Sequence, residues 1–106
     1  MACRTQYERK AILMNDLKDT VEMMTSPDYK ERLKAEWLQT YIRYKKLLAM
    51  VEKFKAGTLD FRPDCPLILL TSQLQIMDKY LQILEDRAYI EKIDLPFEKN
   101  ESGAAA

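Results

Sequence analysis

Two groups of side chains in this 106-residue chain have the chemistry to hold an anionic, ring-bearing ligand. Tyr41-Ile42-Arg43-Tyr44-Lys45-Lys46 interleaves aromatics with cations; aromatic faces stack on bases and cations hold phosphates. Further on, Gln73, Tyr80 and Arg87 fall in one series with Leu69, Ile76, Ile83 and Ile90. Gln73 and Arg87 are polar where apolar residues are expected, and a guanidinium matches phosphate or carboxylate geometry. Arg32 adds another cation. The candidate ligand-binding set is therefore Arg32, Tyr41, Arg43, Lys45, Gln73, Tyr80 and Arg87. The competing reading of the first group is an ordinary half-buried aromatic face, and of the second a structural ion pair.

Nothing in the composition supplies a catalyst for such a ligand. Histidine is absent, which removes the commonest general base and metal ligand. There is no phosphate loop or glycine-rich turn, and no nucleophile has a base beside it. Carboxylates such as Glu31, Glu36, Asp78 and Glu85 read as solubilising helix charge, since a carboxylate-bridged metal site in a bundle needs histidines as well. Cys3 and Cys65 have no metal-type spacing and read as thiols of a reduced, cytoplasmic protein. The expectation is a non-enzyme with no metal and no cofactor.

Positioning those residues requires helices. Hydrophobic residues make up 47% of the chain, with only 2 Gly and 4 Pro, too apolar for disorder and too poor in turn residues for a sandwich of short strands. Ser26-Pro27-Asp28 reads as a helix start with Ser26 as cap, and Gly57 as the terminator of a helix of about 30 residues, roughly 45 Å long. Asp64-Cys65-Pro66 starts the next helix, and Pro96 bars continuation past Leu95. Thr58 to Pro63 is a short connection, so the two long helices pack antiparallel. The expected fold is all-α: a long antiparallel helical hairpin plus a shorter N-terminal helix. It forms one domain over residues 1–101, with helices at about 5–24, 27–56 and 66–94. Ser102 to Ala106 reads as a cloning remnant.

Leu33, Trp37, Thr40, Tyr44, Leu47, Val51 and Phe54 alternate steps of four and three, as do Leu67, Leu70, Leu74, Met77, Leu81, Leu84 and Ala88. These are heptad-like seams. The series from Leu69 to Ile90 is a second stripe on the last helix, wider than one partner can cover. Its cover is either the first helix, through Tyr7, Met14, Leu17, Val21 and Met24, or another copy of the chain; a homo-oligomer is expected. Met14, Met23, Met24, Met50 and Met77 read as core filler. A hairpin turning near residue 61 sets residue numbers adding to about 122 opposite each other, which pairs Glu36 with Arg87.

The 17 Lys and Arg balance the 17 Asp and Glu, so no global field draws the chain to duplex DNA or an anionic membrane. Locally, residues 27–56 hold eight bases against four acids, and residues 85–101 hold six acids against three bases. Opposite signs on adjoining helices favour antiparallel docking. No apolar run approaches the roughly 20 residues that span a bilayer. Acids at positions 8, 16, 19 and 22 argue against a secretory signal.

Residues 28 to about 95 resemble a family of small helical-hairpin proteins encoded by phages and prophages, including crAss-like gut phages. The matching residues are Asp28-Tyr29-Lys30-Glu31-Arg32-Leu33 with Glu36, then Leu69-Leu70, Gln73, Met77, Tyr80, Leu84 and Arg87. The resemblance implies a phage protein acting in an infected bacterial cell. By analogy with other small non-catalytic phage proteins, it implies counter-defence by stoichiometric binding. One expectation is an oligomer that sequesters a nucleotide-type immune signal. The alternative is an inhibitor or adaptor docking on a host defence protein, anchored by Ile76, Tyr80, Ile83, Ile90, Leu59 and Phe61.

Overall fold

The computed structural model describes residues 16–96. Residues 5–15 of the expected first helix, with Tyr7 and Met14, lie outside this range, as do Cys3 and the 102–106 tail. The described chain begins with a 3-10 turn, Leu17–Thr20, which runs directly into one turn of α-helix, α1 (Val21–Met24). Two long helices follow, α2 (Tyr29–Ala56) and α3 (Leu67–Glu91), joined by residues 57–66 and packed along each other. No strand occurs among the described residues, and the all-α hairpin stands as expected.

The ends of α2 follow from local chemistry. Asp28, not Ser26, is the cap: its carboxylate accepts from the Lys30 N–H at 3.0 Å, and the Ser26 hydroxyl accepts from the Asp28 N–H at 3.1 Å. Ser26 thus closes the turn before the helix, because Pro27 and the extended Asp28 set the chain two residues behind the first helical position. At the far end Gly57 takes the left-handed conformation with φ +76°, while the Thr58 N–H reaches the Lys53 carbonyl at 2.9 Å. That pairing is the Schellman motif, which satisfies carbonyls the helix leaves open.

The end of α3 departs from expectation. Pro96 does not stop it; the helix stops at Glu91, where Lys92 turns left-handed at φ 60° and the Ile93 N–H bonds the Ala88 carbonyl at 2.8 Å. The early stop lets Ile93 and Leu95 fold back into the core cluster with Leu33 and Trp37, which a continued helix would carry past the hairpin's end. Lys92 bears the steric penalty that glycine avoids. Lys92→Gly is expected to stabilise the fold by about 0.5–1 kcal/mol, read as a higher denaturation midpoint at unchanged slope.

The core follows both seams, with one addition. Leu70, Leu74, Leu81, Leu84 and Ala88 of α3 are buried, as are Leu33, Trp37 and Val51 of α2; Thr40, Tyr44, Leu47 and Phe54 are half-buried. On α2, however, Ala35, Leu38, Tyr41 and Ile42 are buried too, which one antiparallel partner cannot achieve. The N-terminal segment packs on α2, and Leu17 and Met23 lie against the same core cluster. Thr20 is fully buried there, its hydroxyl donating to the Leu17 carbonyl at 2.7 Å.

An interhelical hydrogen bond lies inside this core. The Trp37 indole N–H donates to the Glu85 carboxylate at 2.8 Å, and both residues are fully buried. Glu85 is therefore a core acceptor, not a solubilising charge. Its residue number and that of Trp37 satisfy the expected hairpin register.

Candidate functional site

The N-terminal segment and α2 form a shallow, open cleft of about 350 Å³. That volume lies at the small end of ligand pockets. Its walls are Leu17, Val21 and Met24, and its polar residues are Lys18, Thr20, Gln39 and Arg43. Two cations and no carboxylate line it, so an anion entering it gains attraction without meeting like charge. Gln39 is held between its neighbours, donating to the Met24 sulfur at 3.1 Å and accepting from Arg43 Nε at 3.3 Å. Arg43 is exposed, and this side-chain bond to Gln39 one turn earlier holds it over the cleft. Met24, read from the sequence as core filler, is a partly exposed wall instead.

The other candidate residues do not converge on this cleft. Arg32 lies at the entry to α2, where Nη1 donates to the Ser26 carbonyl at 2.6 Å and closes the turn. Tyr41 is buried and stacks on Trp37 with ring centroids 5.1 Å apart, while Lys45 Nζ lies 5.2 Å from the Tyr41 centroid. Protein groups thus already engage the aromatic and cation read as a stacking platform. Gln73, Tyr80 and Arg87 lie on α3, on the stripe that faces away from the hairpin seam.

Arg87 does not meet Glu36. It bonds Glu91 one turn on, at 3.4 Å, with about half its side chain in solvent. The hairpin register holds, but Glu36 is turned away from the seam that its neighbour Trp37 occupies, and Trp37 and Glu85 make the interhelical contact.

Glu91 is the centre of a tie between the hairpin's open ends. The Tyr29 hydroxyl donates to it at 2.8 Å, and Arg87 approaches from its other side. The Tyr29 hydrogen bond holds the Glu91 carboxyl below its ordinary value, with a lesser contribution from Arg87; the same bond raises the Tyr29 phenol above 10.0. For Glu91 the linked stability is present above the ordinary carboxylate pKa and is lost as pH falls through the depressed one. For Tyr29 it is present below 10.0 and is lost as pH rises through the raised value. In Tyr29→Phe, Glu91 is expected to titrate at higher pH, nearer an ordinary glutamate, as read by carboxyl NMR; an unmoved Glu91 would refute the tie.

A second depression, about 420 Å³, lies at the hairpin tip between Lys46, Lys53 and the exposed Phe61. Among the described residues no cluster of three metal-ligating side chains occurs, and no helix is long and apolar enough to cross a membrane.

Fold and cleft together define a small helical hairpin with a cationic, apolar-walled surface cleft. Residues 27–90 match the family model described as Sequestin, and the chain belongs to the Sequestin family. The match covers α2, the connection and nearly all of α3, and leaves the N-terminal half of the cleft outside it. No curated protein and no solved structure matches the chain.

Lys18 and Gln39 line the cleft but are not among the residues expected from sequence. The spacing of Gln39 and Arg43, one helical turn apart, was a usable signal; Lys18 had none, because only the docking of the N-terminal segment brings it to α2.

Proposed function

We propose that this chain, as an oligomer, binds and sequesters a nucleotide-type immune signal without converting it, as a phage-encoded counter-defence protein acting in the cytoplasm of an infected bacterium. The family name is that of a sequestering protein, and the observation that carries the reading is the cleft in which Lys18 and Arg43 stand over apolar walls with no carboxylate among them. Phosphate oxygens pair with the cations, and Leu17, Val21 and Met24 cover the apolar face of a base or ribose. Holding requires neither base nor nucleophile, which agrees with a chain that has no histidine. Arg43 is the residue with the largest expected role, while Arg32, Tyr41 and Lys45 act by shaping α2.

Isothermal titration of the full chain against cyclic dinucleotides and ADP-ribose-type molecules tests this directly. Binding by one of these probes is expected, with recovery of the unmodified ligand after denaturation. Arg43→Ala is expected to weaken it about tenfold or more, the loss of one charge-assisted contact. No heat across the panel refutes the reading. It would leave the second one, an adaptor docking on a host defence protein, which the exposed Phe61 at the hairpin tip favours.

A further inference from the structure

The outer stripe of α3 has a pattern that narrows what can cover it. Leu69, Ile76, Ile83 and Ile90 are between 57% and 72% exposed, and Tyr80 is 40% exposed. With Gln73 and Arg87 they alternate steps of four and three along nearly the whole helix. The order is also palindromic. Pairing residues whose numbers add to about 160 sets Leu69 with Ile90, Gln73 with Arg87, Ile76 with Ile83, and Tyr80 with itself. In an isologous antiparallel pairing about a twofold axis near Tyr80, that order sets apolar residues against apolar ones and the two polar residues against each other, leaving no guanidinium facing isoleucine.

We propose that α3 pairs antiparallel with α3 of a second copy, about a twofold axis beside Tyr80. Apolar residues then meet apolar ones at both ends and on either side of the centre. The two polar positions meet each other, so the Gln73 carbonyl of one copy accepts from Arg87 of the second copy, twice per dimer. Side chains on an antiparallel seam interleave rather than meet head-on, and these pairs remain neighbours in either adjacent interleaving. A polar pair inside an apolar seam disfavours other registers, because a slip strands the guanidinium against isoleucine. Five exposed apolar side chains with Gln73 and Arg87 run along nearly the whole of α3, and they are the surface this pairing removes from water. This deepens the sequestering reading by naming how the oligomer forms, but it rests on α3 alone. Its test reads mass and not ligand, so the two fail separately.

Light scattering of the full chain over a concentration series is expected to give twice the 12.5 kDa chain mass. Ile76→Glu is expected to return it to the single-chain mass with helical circular dichroism unchanged, since Ile76 is 70% exposed in the single chain. Charge at position 73 reads the register. Gln73→Glu, placed beside Arg87 of the second copy, is expected to tighten the dimer several-fold at low salt. Gln73→Lys is expected to loosen it tenfold or more. A parallel pairing would set position 73 against itself and loosen both variants alike, which would overturn the proposal. A chain that stays single at every concentration, or an assembly indifferent to Ile76→Glu, would overturn it as well.

Discussion

Trp37→Ala is expected to cost about 3–5 kcal/mol, the largest loss from any single truncation in this fold. Trp37 is fully buried in the main core cluster, stacks on Tyr41, and holds the buried Glu85 carboxylate through its indole N–H. Truncation opens a cavity between α2 and α3 and removes a donor from a carboxylate that has no access to water. Trp37→Phe separates the two contributions. It keeps most of the ring and loses the donor, so about 1–3 kcal/mol is expected from the polar part. Against a total stability of about 5–15 kcal/mol, the alanine variant should be partly unfolded at ambient temperature. Denaturant titration followed by circular dichroism checks both, and has the advantage of not depending on the fluorescence of the only tryptophan. A phenylalanine variant as stable as the parent would show that the Trp37–Glu85 bond contributes nothing net.

Leu81→Ala and Ile83→Ala form the second contrast. Leu81 is fully buried between the long helices, whereas Ile83, two positions on, is 57% exposed. Removing the Leu81 side chain is expected to cost about 2–5 kcal/mol, with the exact value set by how far α2 can relax into the space. The same truncation at Ile83 is expected to cost under about 0.5 kcal/mol in a single chain, because most of the surface it removes is already in water. Measured at protein concentrations where copies associate, Ile83→Ala should lose more, and the loss should grow with concentration. If Ile83→Ala matched Leu81→Ala in the dilute limit, α3 would be covered on both faces within one chain, contrary to the structure.

How far these features were legible in the sequence depends on whether they are local. The α3 seam from Leu70 to Ala88, the glycine stop at Gly57 and the hairpin register follow from steps of three and four and from turn chemistry, which need no knowledge of neighbours. That a second stripe needed cover was legible in the same way; that the N-terminal segment docks on α2 and leaves this stripe exposed was not. Charge role was not. Glu85 and Glu36 look alike in sequence, yet one is a buried acceptor and the other a half-exposed helix charge, because helical phase set Trp37 opposite the first. Tyr41 and Arg43 were adjacent in a promising motif, but residues two apart on a helix point about 200° apart, so one entered the core and the other the cleft rim.

Periodicity and the Gly57 stop thus set the two long helices, their order and their antiparallel pairing, because each rests on contacts within a few residues or on a register that a short connection enforces. Docking of the N-terminal segment lay beyond that reach. Its cleft joins Lys18 to Gln39 and Arg43, residues that no helical repeat connects, and their meeting depends on how Leu17 and Met23 pack against a core that exists only once the hairpin has closed.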